Sequence, residues 1–234
     1  MTSFVNYELK DGVATIAMDD GKVNTMSLQM LSELGAAFDK AEADKAIVVL
    51  TGRSGVFSAG FDLAVLKGGG QPALDMLTSG FKLAARLLAF PTPVIVASNG
   101  HALAMGVFLV LAADYRIGVD GNYKIGANEV AIGLTMPQTA VVICRQRLAP
   151  SHFNRAVIMS EIYTPADALG AGFLDQVVAE ADLPAAVQAA AARLAKLNMA
   201  AFKGTKLRAR EPALTAARTA LELDEADFRA MVMR

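Results

Sequence analysis

Two glycine-containing turns carry the residues whose types and spacing suit chemistry. The second in chain order is the more telling. Val94 to Ala97 is an apolar run, Asn99-Gly100 interrupts it, small residues follow, and Met105 to Ala113 is apolar at helical length. A strand that feeds a helix through small residues leaves amide N–H groups unpaired at the helix start. Such groups can hold negative charge developing on an oxygen. The first turn, Val56-Phe57-Ser58-Ala59-Gly60-Phe61-Asp62-Leu63, also lets backbone approach a ligand closely, and Asp62 suits a helix N-terminus. Each turn has a plainer reading: a tight connection capped by Asp62, and a buried helix entered through a bend. Ser58 does not fit a strained nucleophile turn, because Val56 stands where that turn needs glycine. His101 reads as a loop histidine.

The elements that must position these turns follow from patterning. Phe4–Leu9 and Val13–Met18 are β-prone runs on either side of Asp11-Gly12, a hairpin signal. Ser27 caps a helix with an apolar face of Leu28, Leu31, Leu34 and Phe38. Ile47–Leu50 is a strand, 52–60 a loop, and a helix starts at Asp62; Gly68-Gly69-Gly70 breaks the chain before a helix from Pro72 to about Phe90. Beyond the second turn come strands at Arg116–Val119 and Tyr123–Ile125, an irregular stretch 126–136, and helices opening at Pro137, Ser151 and Thr164-Pro165. A strand at Phe173–Val178 precedes an alanine-rich helical tail from Leu183. Strand, glycine turn and helix recur at 47–66 and 94–113. The expectation is an α/β layered core over 1–182 and a helical C-terminal region over 183–234 that serves packing and oligomerisation.

Composition narrows the class. The 234 residues are 54% hydrophobic and 19% charged, enough apolar surface for a large core. The longest apolar stretch, Ala102–Ala113, is interrupted by Gly106 and falls short of the roughly 18 residues a membrane span needs. Met1 to Val5 lacks a basic segment followed by an apolar one, so no secretory leader is expected and a cytoplasmic location is. Cys144 is the one cysteine and His101 and His152 the two histidines, which disfavours disulfides and a Cys- or His-rich metal site. The net charge of -1 argues against a nucleic-acid binder. A basic cluster, Lys203, Lys206, Arg208 and Arg210, is unexplained by that balance.

Taken in order, the two turns, Ala113-Asp114-Tyr115-Arg116-Ile117, Gly133-Leu134-Thr135-Met136-Pro137 and Ala168-Leu169-Gly170 through Val178 resemble the crotonase (enoyl-CoA hydratase/isomerase) superfamily. The resemblance implies a spiral of ββα turns and a site for an acyl-CoA thioester, with CoA as part of the substrate and no separate cofactor. It implies an oxyanion hole from the N–H groups of Phe61 and Met105. Met105 stands where glycine is usual, so its side chain must point away from the acyl group or shape the pocket. It implies CoA across Lys22, Asn24, Met26 and the loop holding Arg53, Ala59, Gly60, Asp62 and Leu63, with Gly106 and Phe108 by the acyl group and Phe202 and Lys206 near the nucleotide. Lys22 and Arg53 read equally well as solvated charges, and Phe202 and Lys206 as part of a charged helix face. A homotrimer or dimer of trimers is the usual assembly. The tail stops at Arg234, early for the family.

Hydratases of the superfamily carry two glutamates. The first would fall at Phe108 here, and the second matches Glu129 in Ile125-Gly126-Ala127-Asn128-Glu129. The wording around Tyr123–Glu129 resembles the Δ3-Δ2 enoyl-CoA isomerases, which work with one glutamate. Moving one proton from the α- to the γ-carbon needs one carboxylate; adding water is better served by two. An apolar Phe108 beside the site would exclude water and raise the Glu129 pKa. The expectation is an isomerase of fatty-acid metabolism. The alternatives are an enoyl-CoA hydratase using Glu129 alone and a non-catalytic acyl-CoA binding protein.

Overall fold

The computed structural model describes residues 3–233. Met1, Thr2 and Arg234, on which part of the leader reading and the end of the tail fall, lie outside them.

The chain opens with the hairpin β1 (Val5–Lys10) and β2 (Val13–Met18), paired antiparallel. Its connection, Asp11-Gly12, takes positive φ at both residues, the backbone a two-residue hairpin demands. After β3 (Thr25–Met26), Ser27 Oγ accepts the Met30 N–H and starts α1 (Leu28–Ala43). The buried face of α1 runs through Met30, Leu31, Leu34, Ala37, Phe38 and Ala41, one step round from the expected face, so Leu28 is exposed.

Three successive units then repeat one plan. A first strand joins a large sheet, a second joins a small one, and helical structure follows. The first unit is β4 (Ile47–Thr51), β5 (Gly55–Ser58), β6 (Gly60–Phe61), α2 (Leu63–Gly68) and α3 (Gly70–Ala89). The second is β7 (Val94–Ser98), β8 (Gly100–Leu103) and α4 (Met105–Ala112). The third is β9 (Tyr115–Val119), β10 (Ile125–Gly126), a 3-10 turn at Val130–Ile132 and α5 (Gln138–Arg147). Then come α6 (Pro150–Val157), α7 (Pro165–Ala171), β11 (Gln176–Val178), a 3-10 turn at Glu180–Asp182, α8 (Leu183–Leu194), α9 (Met199–Ala209) and α10 (Glu211–Val232). The large sheet has order β1-β2-β4-β7-β9-β11, the small sheet β10-β8-β5, and β3 pairs with β6. After the hairpin the named strands of the described residues pair in parallel, with isolated antiparallel bridges at Arg53–Val56 and Ile125–Tyr163. This is the expected spiral of ββα turns with a helical C-terminal region.

The stretch expected to be a loop over 52–60, and the passage after Asn99, contain β5, β6 and β8. These strands are two to four residues long. Their signal is absent from local pattern because each is held by a partner some 35–45 positions away. The expected strand at Phe173–Val178 shortens to β11, since Phe173 and Leu174 are buried in the main core instead. Period-2 alternation divides the large sheet: Val48, Leu50, Val94 and Val96 face the main core, whereas Ile47, Val49, Ile95 and Ala97 pack under α8. All eight residues of α4 are buried, which makes it the central helix.

The tail folds back on the core. Helix α10 packs on α3 and α5, and its Phe228 and Val232 belong to the main core. Pro137 leaves α5 without a side-chain cap of its own. Asp224 of α10 supplies one, accepting Gln138 N–H at 2.7 Å and Thr139 N–H at 2.8 Å. No helix among the described residues is long and apolar enough to cross a membrane.

Candidate active site

The two turns meet at Gly60. A Cβ built on this residue, whose φ is +93°, would stand 2.6 Å from Ala104 Cβ and 3.3 Å from Met105 N. Only glycine permits that approach. Gly106 is as tightly placed, since a Cβ there would lie 2.7 Å from Ser58 O. Ser58 ties the two turns to the chain before them: its hydroxyl donates to Asn24 O at 2.7 Å and accepts the Gly60 N–H at 3.1 Å. Ala104 turns the chain from β8 into α4 with φ 49° and ψ -127°, a conformation non-glycine residues rarely adopt. Met105 is then the first residue of α4, and its N–H has no partner within the helix. The Met105 side chain is fully buried and does not line the neighbouring cavity; its sulfur lies 3.4 Å from where Gly80 would carry a Cβ.

A cavity of about 130 Å³ opens beside this junction. Ala59, Phe61 and Ala104 form one wall; Leu77 and Phe81 of α3 and Phe228 and Met231 of α10 form others. Glu129 is the one ionisable side chain lining it, among the described residues, and it is 94% buried by its 6% relative exposure. Pairing of β10 with β8 brings this segment alongside the second turn, with Ala104 N–H donating to Gly126 O at 3.2 Å. The Glu129 carbonyl accepts from Ile132 and Leu134, which closes the tight turn around it. Its carboxylate is less well served: Oε2 is buried with no hydrogen-bond partner. Burial pushes the acid up from 4.5 to about 7. A carboxylate poised near neutrality in an apolar cavity, beside the start of α4, is equipped to exchange a proton with carbon next to a carbonyl.

The enoyl-CoA hydratase/isomerase family model matches residues 8–233. The chain belongs to this family. Its sequence is 34% identical over 182 residues to mitochondrial enoyl-CoA delta isomerase 1 of Rattus norvegicus, covering 75% of the chain and 63% of that relative. It is 31% identical over 198 residues to the probable enoyl-CoA hydratase EchA17 of Mycobacterium tuberculosis, covering 81% and 76%. A solved enoyl-CoA hydratase/isomerase family protein from Pseudomonas syringae superposes with a TM-score of 0.93 at 47% identity, covering 95% of this chain and 97% of that one.

Within this enoyl-CoA hydratase/isomerase fold, several expected substrate contacts take other roles. Asn24 is fully buried with positive φ, donates to Met18 O and Phe57 O, and accepts the Asp20 N–H; it holds the loop and offers no free polar atom. Met26 is a core residue, placed against Phe61 by the β3–β6 pairing. Asp62 caps α2, accepting Ala64 and Val65 N–H. Phe108 does not line the cavity: it is fully buried behind Phe81, ring centroids 5.9 Å apart, so Glu129 is desolvated by other walls. Lys206 is not available to a phosphate either. It is buried and paired with Asp114 at 2.7 Å, because the end of α4 needs its charge there. Lys22 and Arg53 sit together at the surface, Arg53 donating to Lys22 O, and Phe202 is half-buried on α9 beneath Lys206. Ala59, Phe61 and Leu63 line the cavity.

Patterning missed the walls. Phe228 and Met231 lie about 100 residues from Glu129, and Leu77 and Phe81 read as ordinary helix core. One signal was available. Gly80 sits inside an otherwise regular helix, and a Cβ there would strike the Phe61 ring at 2.5 Å. An isolated glycine in a helix interior marks close approach.

Proposed function

We propose that this chain is a Δ3-Δ2 enoyl-CoA isomerase. The observation that carries the reading is a single ionisable group, Glu129, in an otherwise neutral cavity lined largely by apolar side chains. The thioester carbonyl of a 3-enoyl-CoA sits with its oxygen toward the Phe61 and Met105 amides. The Glu129 carboxylate takes a proton from the α-carbon, and the electron pair moves onto the thioester oxygen as an enolate. The amides stabilise that oxyanion more than the neutral carbonyl. The protonated Glu129 returns the proton to the γ-carbon, and the double bond moves from the 3,4 to the 2,3 position. One proton leaves and one returns, so no water, second carboxylate or cofactor enters. The likeness to a delta isomerase supports the reading. Self-association into a trimer belongs to the same proposal, with exposed Ile158, Met159 and Ile162 as candidate contacts.

The test compares isomerisation of 3-enoyl-CoA with hydration of 2-enoyl-CoA on one preparation. Isomerisation is expected to be faster. Hydration at an equal or greater rate would replace the proposal with a single-glutamate hydratase, and no turnover of either would leave a binding protein.

Because the two donors are backbone groups, their geometry is reached through Gly106. The methyl of Gly106→Ala meets Ser58 O at 2.7 Å, so α4 and the first turn must separate by several tenths of an ångström. Loss of one donor from such a pair costs about 10²-fold or more in kcat. The variant is expected to keep its circular dichroism spectrum and lose kcat on that scale. Full kcat in a folded variant would remove the Met105 amide from the reaction.

A further inference from the structure

We propose that Ser160 is a positioning residue for Glu129, its hydroxyl holding in place the turn that carries the carboxylate. The inference rests on the isomerase reading above and adds a residue which that reading does not use. Glu129 sits in an otherwise exposed stretch. Between Ala127 and Met136 it is the one buried residue, with Val130, Ala131, Ile132, Gly133 and Thr135 exposed. The 3-10 turn Val130–Ile132 buries none of its side chains. Apolar packing therefore does not fix this stretch, although Glu129 has to stay inside. An opposing pull acts on it: a carboxylate with no partner for Oε2 is better solvated when the segment swings it out to water. Bonds within the turn fix its shape and not its place. Ile132 and Leu134 N–H close on the Glu129 carbonyl at 3.1 and 2.9 Å, and Gly133 N–H on Val130 O at 3.1 Å. Among the described residues, one hydrogen bond ties the 129–134 turn to a distant segment: Ala131 N–H donates to Ser160 Oγ at 3.2 Å.

Ser160 is itself firmly held. It is buried and takes φ 51°, a left-handed conformation that strains serine and does not strain glycine. What serine has there and glycine lacks is the hydroxyl. On one side, Glu161 N–H donates to Arg155 O at 3.1 Å, and the Glu161 carboxylate accepts from Arg155 Nε at 2.6 Å. On the other, Tyr163 and Ile125 exchange both backbone hydrogen bonds, at 3.0 and 2.9 Å, and the Tyr163 ring packs on Phe173. The segment is also pressed onto β10, because a Cβ on Gly126 would stand 3.0 Å from Glu161 O. The hydroxyl is thereby fixed relative to β10, the strand that leads into Glu129. One carboxylate must serve two carbons of the substrate in turn, so its backbone has to stay still while its side chain moves.

The experiment uses Ser160→Ala and Ser160→Gly, which both remove the hydroxyl. They differ in backbone strain, so Ser160→Gly should melt roughly 2–4 °C above Ser160→Ala. A misplacement of about 1 Å near the reacting atoms can lower a rate about 10²-fold, so both variants are expected to lose about tenfold or more in kcat for 3-enoyl-CoA. The Kd of saturated butyryl-CoA should be unchanged, because the amides and apolar walls remain. Amide hydrogen exchange read by mass spectrometry should show protection lost at 129–134 in both variants and kept in α4. A serine that only stabilises the fold would give a kcat that follows Tm and recovers in Ser160→Gly. That pattern, parent kcat in either variant, or unchanged exchange at 129–134 overturns the anchor and leaves the isomerase reading standing. Hydration in place of isomerisation by the parent overturns that reading, and the same two variants then test the anchor on the hydration rate. No turnover of either substrate by the parent overturns both.

Discussion

Glu129→Gln is expected to lose about 10²- to 10⁴-fold in isomerisation rate and to be more stable than the parent above neutral pH. The first effect follows from removing the cavity's one ionisable group; binding of a saturated acyl-CoA should survive, since the amides and apolar walls remain. The second follows from linkage. The acid is near 4.5 when unfolded and near 7 when folded, because burial disfavours the charged form and Oε2 has no partner. Between these values the folded state binds more protons than the unfolded state, so stability falls as pH rises through the window and the whole penalty applies above 7. Its size is roughly 3 kcal/mol, and glutamine does not carry it. For a chain of this size that corresponds to roughly 6–12 °C in Tm. Melting curves at pH 5 and pH 8 should show the variant's advantage widening at pH 8. The same ionisation sets the activity profile: kcat/KM of the parent should rise with pH to a plateau above about 7. An equal Tm shift at both pH values, together with an activity limb near 4.5, would show that Glu129 is not held neutral by its surroundings.

What could be read from the sequence divides by the distance over which each feature is specified. Both turns and the approach of α4 were legible because Ala59-Gly60 and Asn99-Gly100 are local signals, as was the Asp11-Gly12 hairpin. Glu129 was legible only through the family's motif order; alone it is one acid in an irregular stretch. Phe108 is expected beside the acyl group from its place in the family's motif order, but it lies buried behind Phe81 and does not line the cavity, since an alignment position does not say whether a side chain faces a cavity or the layer behind it. The family resemblance puts Asn24 and Lys206 at the ligand, but polar groups in this chain also satisfy backbone and charge that the fold itself buries. The cavity's far wall was illegible because Phe228 and Met231 become neighbours of Glu129 only when α10 folds over α3 and α5.

That closure depends also on the half-buried carboxylate of Asp114, and Asp114→Ala is expected to cost about 3–5 kcal/mol because its cationic partners are buried. Asp114 follows α4 directly. Its side chain accepts the Val94 N–H at 2.8 Å, Lys206 Nζ at 2.7 Å and Arg210 Nη2 at 2.9 Å. The two cations are almost wholly buried. Burial already pulls Lys206 down to about 8, the Asp114 charge opposing that fall. Arg210 also donates to Leu88 O, and Arg147 to the Ala113 and Asp114 carbonyls, so positive groups crowd the end of α4. Removing the carboxylate leaves that charge unpaired in the interior, which is costlier than the pair's net worth. Asp114→Asn keeps an acceptor for Val94 and separates charge from hydrogen bonding; it should fall between parent and alanine variant in urea denaturation. Because α4 presents Met105 at its other end, and α9 and α10 lead from Lys206 and Arg210 to Phe228 and Met231, the alanine variant should also lose kcat at temperatures well below its Tm. Unchanged stability in Asp114→Ala would mean that the tail is held by its apolar contacts alone, and that α10 covers the cavity without the ion pairs at its base.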